Sequence, residues 1–510
     1  MYLEHISGPA DVKKLSLAEM TALCGEIRTA LIEKLSRHGG HCGPNFGFVE
    51  ATVALHCVFD SPKDKMVFDV SHQTYPHKML TGRAEAFLDP AHYDDVSGYS
   101  NPHESEHDHF TIGHTSTSVS LACGLAKARD LRGESGNVIA VIGDGSLSGG
   151  EALEALDYAA ELGGNLLIIV NDNDMSIAEN HGGIYGNLRL LRETGKPLMS
   201  TEGESWESIT TDFMLERMKR DPAVCMITSG TPTVLGFTED KRRLAGRQFI
   251  DVGIAEENAV ALASGIAANG GKPVYGVYST FIHRTYDQLS QDLCINNSPA
   301  TIIVAWGSVY GMNDVTHLGL YDIPMMSNIP NLVYLAPTSR EEYLAMLDWS
   351  IDQTDHPVAI RMPGGPLISS GEAVKPDFSR LNEYQVAHRG AKVALLGLGS
   401  FFSLAQQAAA LLKTQTGIDA TVINPRFITG LDEKLLRELT ADHDVVVTLE
   451  DGQLDGGFGE KIARFYGADA VKVLNFGLKK EFLDRYDLEQ VLRDNHLTPE
   501  QIAHDIRNVL

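Results

Sequence analysis

The sequence predicts an α/β protein of three domains, each built on a parallel sheet. Three observations carry this. The apolar runs that open Val138-Ile-Ala-Val-Ile and Leu166-Leu-Ile-Ile-Val enclose a helical stretch, Glu151 to Leu162, which makes a βαβ unit. Strand and helix patterns alternate again from Ser205 and a third time from near Ala391. Residues 179–204 are rich in Gly, Asn and charge and read as a linker. The expected domains are residues 1–198 (linker from about 180), 199–375 and 376–510.

In chain order, Leu17 to Ser36 has helical apolar spacing. A glycine-rich loop, residues 39–47, contains His41 and Cys42, and Val49 to Val58 reads as a second helix. Met66 to Val70 is a short strand, residues 91–110 a polar loop rich in His, Asp and Ser, and Thr117 to Asp130 a buried helix of small residues. The βαβ unit follows. In the second domain the strands begin at Val224, Gln248, Val274 and Ala300, with a helix from Glu256 to Ala268. In the third they begin at Ala391, Ala420 and Val445.

At 510 residues and 43% hydrophobic content the chain can fill three cores. Its formal net charge of −26 argues against a nucleic-acid or anionic-membrane partner. Six cysteines form no CxxC pair and read as reduced thiols. The N-terminal residues lack the basic and apolar regions of a secretory signal, and no apolar run approaches the ~20 residues of a membrane span. A cytoplasmic location is expected.

The chemistry concentrates at the ends of the βαβ strands. Asp144, between Gly143 and Gly145, ends the first, and Asn173 follows the second, 29 residues after Asp144. Parallel strands bring their C-terminal ends to one mouth, where open α/β sheets bind ligands. A carboxylate and an amide oxygen there suit Mg²⁺ that shares phosphate oxygens, and flanking glycines let the backbone approach a diphosphate. Taken singly, strand-end Asx residues serve equally well as turn caps.

That spacing matches the thiamine-diphosphate motif. Asp69-Val-Ser-His-Gln-Thr-Tyr-Pro-His-Lys-Met-Leu-Thr-Gly-Arg83, Gly113-His-Thr-Ser-Thr-Ser118, Ile254-Ala-Glu-Glu-Asn-Ala-Val260, Tyr278-Ser-Thr-Phe-Ile-His-Arg-Thr-Tyr-Asp-Gln288, Asn424-Pro-Arg-Phe and Leu449-Glu-Asp-Gly extend the match across the chain in order. The sequence resembles the 1-deoxy-D-xylulose-5-phosphate synthase family of the transketolase superfamily. The resemblance implies diphosphate-binding, pyrimidine-binding and C-terminal domains of transketolase type, a homodimer, and the cofactors thiamine diphosphate and Mg²⁺. It implies that pyruvate and glyceraldehyde 3-phosphate are joined with loss of CO₂, a step of isoprenoid biosynthesis. Ketol transfer from a ketose donor to an aldehyde acceptor is the alternative activity, and a non-catalytic cofactor-binding homologue the alternative of another class.

The resemblance also assigns roles. Asp144, Asn173 and the Met175 carbonyl are the metal ligands. Gly143, Gly145 and Ser146 cradle the diphosphate, and His72, His114 and Ser116 contact it or the substrate. Glu256 activates the aminopyrimidine through its N1′, and Phe281 packs on that ring. A glutamate at a helix N-terminus is otherwise simply favoured by the macrodipole. His41 transfers protons near the substrate carbonyl and His317 acts near the donor, work suited to imidazole. Tyr278 and Arg284 face substrate or cofactor. The chain departs from the family pattern in three places. The linker is short, with only Lys196 to stand for a family lysine. Ala305-Trp-Gly-Ser308 replaces a segment whose arginine would bind the acceptor phosphate, leaving Arg361 as the other phosphate contact. Asn313 replaces an aspartate beside the substrate, and Asp314 is positioned to substitute for it.

Overall fold

A computed structural model describes residues 2–162, 164–172 and 205–510. It divides into two units, Met1–Thr194 and Gly195–Leu510. Asn173, Met175 and Lys196 lie outside the described residues.

The first unit holds a three-stranded parallel sheet, β1 (Lys65–Phe68), β2 (Val138–Gly143) and β3 (Leu166–Asn171), in that spatial order. Every side chain of β2 before Gly143 is buried, as expected of a central parallel strand flanked by helices. Helix Leu17–His38 starts at Ser16, where Ser16 and Glu19 form a reciprocal capping box. Helices Val49–Val58, Ser118–Leu131 and Gly150–Leu162 fall within one residue of the sequence expectation at each end. Strand β2 leads directly into a short 3-10 turn, Asp144–Ser148.

The second unit contains two sheets. The strands β4 (Val224–Thr228), β5 (Phe249–Asp251), β6 (Lys272–Tyr278), β7 (Thr301–Ala305), β8 (Val333–Leu335) and β9 (Val358–Met362) form a parallel sheet in the order β5-β4-β6-β7-β9-β8. The remaining strands, β10 (Gln385–His388), β11 (Lys392–Gly397), β12 (Thr421–Asn424), β13 (His443–Gln453) and β14 (Lys472–Leu478), lie in the order β10-β12-β11-β13-β14. Here edge strand β10 is antiparallel to β12, while the other pairs are parallel. All four residues of β10 are exposed, so no apolar run announces it. No helix among the described residues is long and apolar enough to cross a membrane.

Candidate functional site

In the first unit, three loops are tied together by two buried polar side chains that the sequence did not single out. Asn45, fully buried, donates from Nδ2 to the carbonyls of His41 and His72, 2.7 Å each, and accepts the Tyr75 N–H at 2.9 Å. One amide thus fixes the loop of His41 against that of His72, and the two imidazole rings meet edge to face at 5.5 Å. The Tyr75 hydroxyl lies 3.3 Å from His41 Nδ1, and Tyr99 packs on the same ring at 5.0 Å. Burial, with the nearby His41, pushes His72 down to about 4, so it is neutral at physiological pH. Its Nδ1 is buried with no hydrogen-bond partner.

Asp69 is the second organiser. It follows β1, is 1% exposed, and accepts the N–H groups of Ser116 at 2.8 Å and Ser118 at 2.9 Å. Burial keeps its carboxyl above the ordinary aspartate value despite those donors. Ser116, in the left-handed region at φ 72°, donates its hydroxyl to the Ser146 carbonyl at 2.8 Å. The His114 loop is therefore locked against the Asp144–Ser148 turn. A Cβ on Gly149 would lie 2.1 Å from Ser116 Oγ, whereas one on Gly143 would meet open space. Asp144 itself is 2% exposed. Between Asp69 and His72, Val70 and Ser71 both have positive φ, 56° and 68°, a strained path for a β-branched residue.

The polar loop expected at residues 91–110 is stapled from below. Lys78 Nζ donates to Glu104 at 2.6 Å and to the Ser97 carbonyl at 2.9 Å. Arg83 reaches both oxygens of Asp108, at 2.8 and 2.9 Å, and His77 lies 3.1 Å from the same carboxylate. Burial opposes ionisation of Asp108, yet His77 and Arg83 hold its carboxyl well below the carboxylate range.

In the second unit, Glu256 opens helix Glu256–Ala268 and is 3% exposed. Its Oε2 is buried without a hydrogen-bond partner, the nearest cation being Arg284 Nη1 at 3.5 Å. Burial raises its carboxyl to about 7, with Arg284 restraining the rise. The turn that carries Arg284, Phe281–Thr285, opens on an aromatic cluster: Phe281 packs edge-on to Tyr278 at 5.1 Å and to His317 at 5.6 Å, and Tyr278 packs on Trp306 at 6.0 Å. His317 Nδ1 is 2.8 Å from the Thr316 hydroxyl and 3.6 Å from Asp314. Although burial works against it, hydrogen bonds from His317 and Thr316 keep the Asp314 carboxyl below its usual value. Asn313 is exposed, and its carbonyl accepts the Arg485 N–H at 2.7 Å.

Trp306 follows β7 in the left-handed region, φ 60°, and donates Nε1–H to Glu207 Oε1 at 3.0 Å. Arg361 is placed differently from the expectation of a phosphate contact. It is 3% exposed on β9, with Nε 2.7 Å and Nη2 3.1 Å from the two oxygens of Asp322. Nη1 pairs with Asp451, and Nη2 also donates to the Gly319 carbonyl at 3.1 Å. Its donors are committed to protein oxygens because two buried carboxylates require a counter-charge.

Comparison with known proteins supplies the family. The sequence profile described as 1-deoxy-D-xylulose-5-phosphate synthase matches residues 3–223, that of the transketolase pyrimidine binding domain residues 203–367, and that of the transketolase C-terminal domain residues 382–502. The 1-deoxy-D-xylulose-5-phosphate synthase of Symbiobacterium thermophilum is 34% identical over 615 aligned positions, covering 99% of this chain and 94% of the relative. That of Shouchella clausii is 34% identical over 627 positions, covering 100% and 99%. Since this chain has 510 residues, at least 105 positions of the first alignment are gaps in it. Among solved structures, a split-gene transketolase described as an inactive β4 tetramer superposes with a TM-score of 0.51 at 21% identity, over 61% of this chain and 99% of that one. A Pichia stipitis transketolase in complex with sedoheptulose 7-phosphate gives 0.50 at 15% identity, over 97% and 98%. These two speak to the fold alone.

Proposed function

The chain belongs to the 1-deoxy-D-xylulose-5-phosphate synthase family, and from that premise we propose that it is a thiamine-diphosphate-dependent transferase that decarboxylates pyruvate and joins the two-carbon unit to glyceraldehyde 3-phosphate. The observation that carries the reading is Glu256: a buried carboxyl raised to about 7, with one oxygen lacking a hydrogen-bond partner. Such a group is costly unless a ligand completes it, and a ring nitrogen that shares its proton does so. When bound, the cofactor supplies the carbon nucleophile and the electron sink that decarboxylation needs.

The chain's own residues then divide the work. Asp144, with Asn173 and the Met175 carbonyl, is proposed to hold Mg²⁺. Gly143, Gly145, Ser146, His114 and Ser116 receive the diphosphate, a role supported by the open space at Gly143 and the carboxylate-braced loop of Ser116. Neutral His72 offers an uncharged donor or acceptor beside His41. Phe281 packs on the pyrimidine, and Arg284 restrains Glu256. His41 and His317 hold and move protons at the substrate oxygens, with Tyr278, Asn313 and Asp314 bordering the substrate. The active protein is read as a homodimer. The domains are taken as residues 1–198, 199–375 and 376–510.

The test is CO₂ release from pyruvate with thiamine diphosphate and Mg²⁺, with and without glyceraldehyde 3-phosphate. Stimulation by the aldehyde and formation of 1-deoxyxylulose 5-phosphate are expected. A protein that binds the cofactor yet does not turn over pyruvate would refute the reading. A second reading, an acceptor without phosphate, is favoured by Trp306 and Arg361: the first offers an indole hydrogen-bonded to a carboxylate, and the second is already engaged by Asp322 and Asp451. Comparing D-glyceraldehyde with its 3-phosphate as acceptor separates the two.

A further inference from the structure

The segment 307–322 carries Asn313, Asp314 and His317, yet almost nothing of it is regular structure. Its shape is imposed by contacts to the chain's last domain. From the stretch just beyond β14, the Tyr486 hydroxyl donates to the Val309 carbonyl at 2.7 Å, the Arg485 N–H to the Asn313 carbonyl at 2.7 Å, and Asp484 Oδ1 accepts the Val315 N–H at 3.3 Å. The Tyr321 hydroxyl returns a bond to the Glu481 carbonyl at 3.0 Å. At the far end of the segment, the last residue of β13, Gln453, donates its N–H to the Leu320 carbonyl at 3.0 Å, and Asp451 pairs with Arg361. Arg361 in turn holds the Gly319 carbonyl and the Asp322 carboxylate, which also accepts the Tyr334 hydroxyl. Below, packing leaves no slack: a Cβ on Gly319 would sit 2.1 Å from the Trp306 carbonyl and 3.0 Å from the Ser308 nitrogen.

Hydrogen bonds from two separate stretches of the C-terminal domain therefore hold both ends of a segment that lacks a ladder of its own. Two of them, at the Asn313 carbonyl and the Val315 N–H, fall on the backbone at or beside Asn313 and Asp314, two to four residues before His317. We infer that residues 451–453 and 481–486 are a clamp that positions His317, with Arg361 as a positioning residue at its root. This inference rests on the proposed catalytic role of His317. It gives the third domain a part in the reaction although none of its side chains is assigned to substrate or cofactor.

The rim of the clamp is suited to testing, because removing the buried Arg361 or Asp451 endangers folding. Tyr486→Phe and Asp484→Ala combined delete two bonds to the segment, and the exposed Asp484–Arg485 ion pair with them, at half-exposed or more open positions. In an otherwise unchanged enzyme the pair is expected to lower kcat/KM by about tenfold through misplacement of the reacting group. In a His317→Ala background the same pair is expected to cost less than about twofold, because its effect passes through the missing imidazole. Asp484→Asn, which retains an oxygen to accept the Val315 N–H, should restore most of the activity. An equal loss in both backgrounds, or no loss in the first, overturns the inference. Should the protein not turn over pyruvate at all, the catalytic reading fails separately. The clamp is then judged by NMR of histidine-labelled full-length protein, with the His317 resonance assigned by its loss in His317→Gln. The paired variant should shift that resonance and leave those of His388 and His504 in place; an unmoved His317 resonance overturns the inference.

Discussion

Replacing Glu256 by Gln should make the protein more stable at mildly alkaline pH while abolishing turnover. Burial raises the carboxyl from its ordinary 4.5 to about 7 in the cofactor-free protein. At about 1.4 kcal/mol per unit, ionising it in the fold costs on the order of 3 kcal/mol. The direction follows from proton counts. Below about pH 4.5 both the folded and unfolded chains carry the proton, and the full contribution is present. Between about 4.5 and 7 the folded chain keeps the proton and the unfolded chain releases it, so stability falls as pH rises. Above about 7 both are ionised and the contribution is gone. Gln has no such dependence. The difference in urea midpoint between Glu256→Gln and the parent, both free of cofactor, should therefore be small near pH 4.5. It should grow in favour of the variant toward about pH 8, by an amount that corresponds, after multiplication by the m-value, to a few kcal/mol. Taking the difference cancels titrations elsewhere in the molecule. Activity should fall at least about 100-fold, as for loss of a proton-transfer partner. A pH-independent difference would show that the carboxyl is not held protonated by burial, and the argument for its role in cofactor activation would lose its basis.

Further outcomes follow from other contacts. Asp69→Ala strips acceptors from two buried N–H groups, at about 1–3 kcal/mol each; calorimetric titration should show weakened thiamine diphosphate binding as the Ser116 loop loosens. His72, pushed down to about 4, should contribute no titration near neutrality. Its folded value lies below the ordinary 6.5, so its share of stability is present above about 6.5 and lost as pH falls toward 4; His72→Gln should leave the midpoint of the acid limb of kcat/KM unmoved. Gly319→Ala cannot seat its methyl group against the Trp306 carbonyl. It should lower kcat by more than tenfold, at a cost of about 1–3 kcal/mol in stability read by thermal unfolding. Trp306→Arg combined with Glu207→Gln, which removes the carboxylate that would otherwise engage the new guanidinium, should shift acceptor preference toward the phosphorylated aldehyde, read as a ratio of kcat/KM values.

Much of this architecture was legible in the sequence wherever burial and period coincide. Strand Val224–Thr228 and helices Val49–Val58 and Glu256–Ala268 have the expected bounds, because each is an apolar or small-residue run stopped by polar or glycine punctuation. Short β8 and exposed β10 carry no such signal, and β9, a buried five-residue run interrupted by Arg361, and the half-buried β14 are likewise absent from the sequence expectation. The site divides in the same way. Residues that meet a ligand show their role by type, but those that aim them do not: Asp69 opens a matched motif and Asn45 sits in the glycine-rich loop, yet both act through backbone groups that are remote in sequence, so nothing local marks what they do. Arg361 shows the converse. Its residue type suits phosphate, and only the fold reveals two carboxylates, from helix Asp322–Met326 and from β13, already waiting for it.

The consecutive left-handed residues Val70 and Ser71 bear on how this protein can be engineered. A valine there stores on the order of 1–2 kcal/mol, of which glycine would release what is left after its own extra unfolded-state entropy of about 0.5–1 kcal/mol. Screens for thermostability should therefore recover Val70→Gly readily. The same exchange would give the turn before His72 a wider choice of conformations, and the histidine's placement beside His41 would be shared among them. Heat tolerance and turnover would then be selected in opposite directions at a single position, two residues before His72.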